Sequence, residues 1–323
     1  MVKSGIKFAQ ISDIHLMVEE RCRCWWMSAA PDKLLQQAIA QLQAIPDLDF
    51  VVFTGDLVDR ADRASFEQFR EIVSPLRVPY FCSVGNHDIA TGRTACPQRF
   101  DRQQFVDWCR QQFSLQAAST GWADYSSSPI AGVRLIALDT SLGEWPEPQG
   151  MIRREQLEWL RAELAACPQE IVVIAIHQPP LASVLFRDYR LLPHYSRQLR
   201  RVLHSHPHVV AVLSGHLHTP KVYTRRHTTY LTAPPLVGPV SAFRLFELKV
   251  LPERAVRLPE RWGVLRYDWY RVQLPEQEVK PLWHAIAMGR RSDRWGQTLV
   301  PLPPQWGKLQ PLERSGELPS RAS

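Results

Sequence analysis

None of the apolar runs in this 323-residue chain approaches the ~20 residues needed to cross a bilayer. Runs such as Ile171 to Ile176 stop abruptly at polar residues. No apolar stretch with a small-residue cleavage site stands ahead of the first strand-like segment, residues 6–12, so no export signal is expected. Cysteine is sparse, six in 323 residues, which excludes a disulfide scaffold. A soluble protein of the reducing cytoplasm is the expected setting. Cys22 and Cys24 lie beside Trp25-Trp26, but no second Cys/His pair stands nearby at zinc spacing, so they read as loop thiols.

A strong charge of one sign is also missing. The formal net charge is +7, with 27 basic and 24 acidic side chains before residue 251 and 12 and 8 after it. The near balance of the first 250 residues argues against a nucleic-acid partner, and no membrane span is expected. Disorder is excluded as well, because 45% of the residues are apolar and 22% charged, enough to bury a core.

What is present is a series of strand-length apolar runs, each ending in polar residues. Phe50 to Phe53 leads into Thr54-Gly55-Asp56, and Tyr80 to Val84 into Gly85-Asn86-His87-Asp88. Ile171 to Ile176 leads into His177, and Val209 to Leu213 into Ser214-Gly215-His216. Between them stand helical stripes: Leu34, Leu35, Ala38, Ile39 and Leu42; Phe66, Phe69, Val73 and Leu76; Phe105, Trp108, Cys109 and Phe113; Leu157, Leu160 and Leu164. Continuous apolar strands alternating with helices predict a buried, largely parallel sheet. Hairpins predicted over 125–138 and 221–250 make the whole a mixed α/β sandwich.

Ligands of open α/β sheets bind outside the carboxyl ends of the strands. The residues gathered there are Asp13, His15, Asp56, Asn86, His87, His177, His216 and His218. Imidazoles, carboxylates and an amide without thiolate suit Mn, Fe, Zn, Co or Ni. There are too many ligands for one ion, and two ions about 3.5–4 Å apart with a shared carboxylate would use them. Gly55, Gly85 and Gly215 each precede a candidate ligand, where the chain must turn without a side chain in the way.

Asp13-Ile14-His15, Gly55-Asp56-Leu57-Val58-Asp59, Gly85-Asn86-His87-Asp88, His177 and Gly215-His216-Leu217-His218 resemble the signature of the calcineurin-like metallophosphoesterases. The resemblance covers residues 6–250 and is strongest to the bacterial class III 3',5'-cyclic nucleotide phosphodiesterases, supported by residues 138–141, 150–160 and His177-Gln178-Pro179-Pro180. It implies a four-layer α/β/β/α sandwich. It also implies two metal ions, iron and manganese first, with zinc, cobalt or nickel as alternatives. Asp13, His15, Asp56 and His218 would hold one ion, and Asp56, Asn86, His177 and His216 the other. His87 would face the phosphate. The implied activity is hydrolysis of a small-molecule phosphodiester, such as cyclic AMP, by a metal-bridging hydroxide. The alternatives are a phosphomonoester or a lipid- or glycerol-type diester on the same metal core, a non-catalytic scaffold, and a nuclease. Gln178 stands where such proteins usually carry a second His.

Further roles remain open between two readings each. Asp88 orients His87 or is a turn residue; Asp139 holds a ligating His from behind or ends its strand. His194 contacts substrate or lies on the surface, and Trp25 and Trp26 stack on an organic leaving group or simply pack. His204, His206 and His208 have metal-like spacing but fall opposite the expected site edge. Residues 251–310, which hold five of the eleven tryptophans, are expected to pack on the 1–250 catalytic domain as an added strand and an aromatic-anchored strap over the pocket or a homodimer partner. Residues 311–323 are expected to be disordered.

Overall fold

The structure, a computed structural model, describes residues 5–18, 30–90, 96–142, 148–181, 189–251, 262–272, 288–303 and 306. Cys22, Cys24, Trp25, Trp26 and the tail 311–323 lie outside the described residues.

Two sheets stack face to face. The first has the order β13-β12-β11-β1-β2-β3, built from β1 (Gly5–Ile11), β2 (Phe50–Thr54), β3 (Tyr80–Ser83), β11 (Ala242–Val250), β12 (Trp262–Arg271) and β13 (Gly296–Pro301). The second has the order β4-β5-β6-β7-β8-β10-β9. Its strands are β4 (Gln116–Ala117), β5 (Tyr125–Ser127), β6 (Val133–Ala137), β7 (Ile171–Ala175), β8 (Val209–Ser214), β9 (Lys221–Arg225) and β10 (Thr228–Thr232). β1, β2 and β3 run parallel, as do β6, β7, β8 and β10. The antiparallel β5–β6 and β9–β10 pairs are the expected hairpins.

The alternation of side chains along each strand fills three apolar layers. Phe8, Phe50, Val52 and Phe81 of the first sheet meet Leu135, Val173, Ala175 and Leu213 of the second. The stacked rings of Phe8, Phe50 and Phe246 stiffen that inner layer. On the outer face of the first sheet, Ala9, Ile11, Val51 and Phe53 bury α1 (Pro31–Gln43), α2 (Arg63–Val73) and α3 (Arg102–Gln112). On the outer face of the second, Ile136, Val172 and Ile174 bury α4 (Arg154–Ala166) and α5 (Pro193–His204). The helix stripes read from the sequence are the buried faces. Local chemistry starts them: Pro31 stands in the first turn of α1, the Asp62 side chain accepts from Ser65 N, and Asp101 with Gln104 forms a capping box. The result is the α/β/β/α order of layers.

One polar side chain crosses the inner layer near its carboxyl end. Gln10 of β1 is fully buried and donates from Nε2 to Thr54 Oγ1 and to Ser214 O, each at 2.9 Å. It pins β8 of the second sheet to β1 and β2 of the first, directly beneath the loops that carry the candidate ligands.

Beyond residue 250, β12 pairs with β11 and β13 with β12, so both extend the first sheet. A short helix, α6 (Arg291–Arg294), lies between them in sequence. The buried Arg244 of β11 donates to Thr232 O at 2.9 Å and to Asp293 O at 2.6 Å, tying α6 to the end of β10. Trp306 returns into the inner layer beneath the β5–β6 turn, where Gly132, at φ 80, leaves room for its indole. No helix among the described residues is long and apolar enough to cross a membrane.

Trp306 is 2% exposed and packed between the sheets. Replacing it with Ala is expected to destabilise the fold by about 3–5 kcal/mol, the usual cost of emptying a buried tryptophan site. Urea unfolding measures this, and a loss below about 1 kcal/mol would mean that the indole is not part of the folding unit.

Candidate metal centre

All eight ligand candidates converge at the carboxyl ends of five strands, three from the first sheet and two from the second. Asp13 and His15 follow β1, Asp56 follows β2, and Asn86 and His87 follow β3; His177 follows β7, and His216 and His218 follow β8. The loops hold each other. Asp13 N donates to Gly55 O, Ile14 N and His15 N both to Asp56 O, and Gly215 N to His177 O. His216 N lies 3.0 Å from Asp13 Oδ1 and 3.1 Å from Oδ2, so a backbone amide fixes that carboxylate.

Five of these residues sit in the left-handed backbone region: Asp13 (φ 55), His15 (φ 49), Asp56 (φ 52), His216 (φ 70) and His218 (φ 50). Such conformations cost about 1–3 kcal/mol each and persist where function and surrounding packing require them. The glycines serve close approach. A Cβ on Gly55, itself at φ 85, would stand 2.5 Å from His177 Nδ1. One on Gly85 would collide with the Asp56 carboxylate and amide, and one on Gly215 with Ser12 Oγ.

Three groups of His and Asp atoms stand close enough to hold an ion; one, His15 with Asp59 and His87, shares His15 with the first of the two groups made only of expected ligands. Asp13, His15 and His218 form the first, with His15 Nε2 3.3 Å from His218 Nε2 and His218 Nε2 3.3 Å from Asp13 Oδ1. Asp56, His177 and His216 form the second, with His177 Nε2 3.0 Å from Asp56 Oδ2 and 3.2 Å from His216 Nδ1. Asp56 Oδ2 also lies 3.7 Å from His15 Nε2, so one carboxylate stands between the groups. His177 Nδ1 donates to Thr54 O at 2.8 Å, which leaves Nε2 as the nitrogen facing the site. Asn86 is buried, and its Oδ1 accepts from Gln178 Nε2 at 3.1 Å. Gln178 is held in turn by Thr140, whose hydroxyl donates to Gln178 Oε1 at 2.6 Å and accepts from Gln178 N. Thus the residue that departs from the usual second His positions the Asn86 amide.

The electrostatics agree with a cation site. Burial resists ionisation of Asp13 and Asp56, but His218 beside the first and His177 beside the second hold both below the usual carboxylate range. Burial and the neighbouring His177 push His216 down to about 3, so it is neutral and able to ligate. Burial likewise lowers His15. For His177, burial works against the charge, yet Asp56 outweighs it and raises the imidazole to about 9. Nitrogen and oxygen donors packed this closely around two carboxylates fit divalent first-row metals.

A family model described as calcineurin-like phosphoesterase matches residues 6–220, the span that carries every one of these ligands. The chain belongs to the calcineurin-like phosphoesterase family. It is a metallophosphoesterase, a hydrolase. The phosphoesterase is 28% identical over 233 residues to a 3',5'-cyclic-nucleotide phosphodiesterase of Nostoc sp. strain PCC 7120, covering 72% of this chain and 79% of that one. It is 26% identical to a probable glycerophosphodiester phosphodiesterase of Arcobacter nitrofigilis, covering 65% and 70%. Its fold is also that of a dimetal phosphatase from Danio rerio, with TM-score 0.62 at 17% identity over 83% and 98% of the two chains.

For three residues with two open readings each, the phosphoesterase structure shows the contacts. Asp88 does not orient His87: Oδ1 accepts from Leu57 N and Val58 N, and Oδ2 from Gly85 N, so it braces the Asp56 loop. Burial and the nearby Asp56 raise its pKa to about 7. Asp139 touches no ligating imidazole; its Oδ2 accepts from Arg102 Nε at 2.7 Å and its Oδ1 from Ser141 N. His194 is exposed on the first turn of α5 and stacks on Tyr195, while Tyr189 of the same connection stands 6.0 Å from His216, ring to ring. His204 and His206 serve the α5 end, bonding Tyr230 and Val202, and neither they nor His208 belong to a ligand group among the described residues.

Asp59 is the residue the sequence reading passed over. It lies inside the quoted Gly55–Asp59 motif, three residues after Asp56, and its backbone O accepts from His87 Nδ1 at 2.8 Å. Its carboxylate is 3.5 Å from His87 Nδ1 and 3.4 Å from His15 Nδ1. Burial opposes a charge on His87, but Asp56 and Asp59 prevail and raise it to about 9. A raised imidazole stabilises the metal-free fold fully below its unfolded pKa of about 6.5 and loses that contribution as pH rises through about 9. In metal-free protein, Asp59→Asn should therefore bring the His87 NMR titration midpoint down towards the ordinary value. An unchanged midpoint would remove Asp59 from the cause.

Proposed function

We propose that this phosphoesterase hydrolyses phosphodiesters at a two-metal centre, with 3',5'-cyclic nucleotides as its substrate class. The observation carrying this reading is the single carboxylate oxygen within reach of both ligand groups, Asp56 Oδ2, 3.0 Å from His177 Nε2 and 3.7 Å from His15 Nε2. Asp13, His15, His218 and Asp56 would hold one ion, and Asp56, Asn86, His177 and His216 the other, manganese and iron being among the metals such a donor set suits and those the family resemblance implies. Ions bound there would supply the Lewis acidity that makes a water nucleophilic near neutral pH and offsets charge on the phosphoryl oxygens.

The side chains do the rest. His87 Nδ1–H is committed to Asp59 O, so the nitrogen left for the substrate is Nε2. Protonated there, His87 can donate to a phosphoryl oxygen and then release its proton to the leaving oxygen, a role worth about 10²–10⁴-fold in rate. With Gln178 satisfying one lone pair of Asn86 Oδ1, the other is available to a ligand. Tyr189, 49% exposed beside His216, offers a planar face at the rim for a nucleobase. A second reading, hydrolysis of a glycerophosphodiester, is favoured by the relative from Arcobacter nitrofigilis.

Purified protein with manganese, assayed against cyclic AMP, a glycerophosphodiester and an aryl phosphate monoester, separates these readings. Turnover of cyclic AMP is expected, lost in Asp56→Asn and reduced about 10²–10⁴-fold in kcat in His87→Gln. Turnover of the glycerophosphodiester alone would select the second reading, and turnover of the monoester alone would overturn both.

A further inference from the structure

The charge on this chain is segregated in a way its totals conceal. Between Tyr189 and Phe246 there is no Asp or Glu, while seven Arg and one Lys contribute +8, more than the +7 of the whole chain. The remaining residues are balanced, with 31 basic against 32 acidic side chains. Totals taken over 1–250 average this contrast away, which is why they pointed away from nucleic acid.

The fold collects much of this charge on one flank of the second sheet. Arg197 and Arg201 are exposed on α5, and Arg225 and Arg226 are exposed in the β9–β10 turn. Arg290 and Arg291 are exposed at the start of α6, whose Asp293 binds Val222 N on the β9 edge. The end of α5 touches the β9–β10 turn: His227 Nε2 lies 3.3 Å from Leu203 O, and the rings of His204 and His227 stand 6.1 Å apart, centre to centre.

Several surface arginines elsewhere are paired along their own helix or across strands, as Arg70 with Glu67, Arg110 with Asp107, Arg154 with Glu158 and Arg134 with Glu170, whereas others, such as Arg77 and Arg266, carry no ion pair among the described residues. Among the described residues, none of the six exposed arginines of the flank has a carboxylate at ion-pair distance. The one acid there, Asp293, is 5% exposed and committed to Lys221 Nζ, Val222 N and Arg290 N. Arg225 Nη1 donates to Thr224 O and Arg291 lies over the Trp295 ring, but neither contact neutralises charge, so the six guanidinium groups repel one another, an arrangement that a polyanion relieves.

The chemistry favours one kind of polyanion. The exposed charges are all guanidinium groups, whose planar fork matches phosphate oxygens. Half-buried rings of Tyr223, His204 and His227 stand on β9, the end of α5 and the β9–β10 turn beside these arginines, as on surfaces where bases stack. An interfacial membrane surface would need apolar side chains among the charges. The large apolar side chains most exposed among the described residues, Val18, Tyr189, Tyr270 and Leu299, belong to none of α5, β9 or α6. The flank is about 18 Å long, the length of the 12-residue α5, enough for several consecutive phosphates of an extended strand.

We propose that this flank binds the phosphate backbone of single-stranded nucleic acid, as a docking surface separate from the metal centre. The test is anisotropy of a fluorescein-labelled 20-nucleotide oligothymidylate with the manganese-loaded full chain, the probe checked for integrity on a gel. Binding at 50 mM salt is expected, weakening about 100-fold by 200 mM, as about five released counterions require. The variant Arg197→Gln/Arg201→Gln/Arg225→Gln/Arg226→Gln should bind at least tenfold more weakly with a shallower salt dependence. Its melting temperature and its hydrolysis of phosphoesters should be unchanged. If that variant does not fold, the turn pair Arg225→Gln/Arg226→Gln should show part of the same loss. No binding at 50 mM salt would overturn the proposal. So would an equal loss in the control Arg70→Gln/Arg110→Gln, or retention of the chain by phosphatidylglycerol vesicles but not by the oligonucleotide.

Discussion

The Asp56 carboxylate is the constraint on which the rest of this structure depends. Its Oδ2 stands between two groups of imidazoles, and its Oδ1 accepts from His87 N at 3.0 Å, so one side chain touches both groups of candidate ligands and the backbone of His87. To be there it needs a left-handed backbone at φ 52, a glycine before it, and a second glycine, Gly85, whose missing Cβ would otherwise occupy its place. Asp88 then ties the loop with three backbone amides. Asp88, open from sequence between a partner of His87 and a turn residue, braces the Asp56 loop.

Burying two carboxylates and several imidazoles at the mouth of an apolar sandwich is costly unless they neutralise one another. In the metal-free state they do so by proton sharing: His177 and His87 are held charged against Asp56 and Asp59, while His216 and His15 are held neutral. Metal ions would replace those protons as the compensating charge, which couples loading to pH. The strained backbones of the ligand loops persist because three apolar layers and the Gln10 crosslink hold the strand ends in place. Stability and site thus come from the same register of β1, β2, β7 and β8.

Much of this was legible in the sequence because strand ends and glycines leave local signatures. Apolar runs ending in Asp, Asn or His identified the ligands, and the four helix stripes identified the outer layers. Asp59 was less legible, since its distance from His87 along the chain hides a contact that only parallel pairing of β2 and β3 creates. Asp139 stayed between two readings for a related reason: its acceptor role could be owed to a histidine, but α3 delivers Arg102 to it. Tyr189 could have been suspected only as an aromatic in a loop near the site, because its exposure depends on how the connection is laid across the sheet edge.

The sequence by itself determined the candidate ligand set, the layer order and the family, since these follow from side-chain type, hydrophobic period and short motifs. Tertiary structure alone decided which oxygen lies between the two groups, which carboxylate stands beside which imidazole, and how charge is distributed over the surface. The reason is geometric. Hydrophobic period is a property of neighbours in the chain, whereas ion pairs, unpaired charges and shared ligands are properties of neighbours in space, here brought together across two sheets from residues up to about two hundred positions apart.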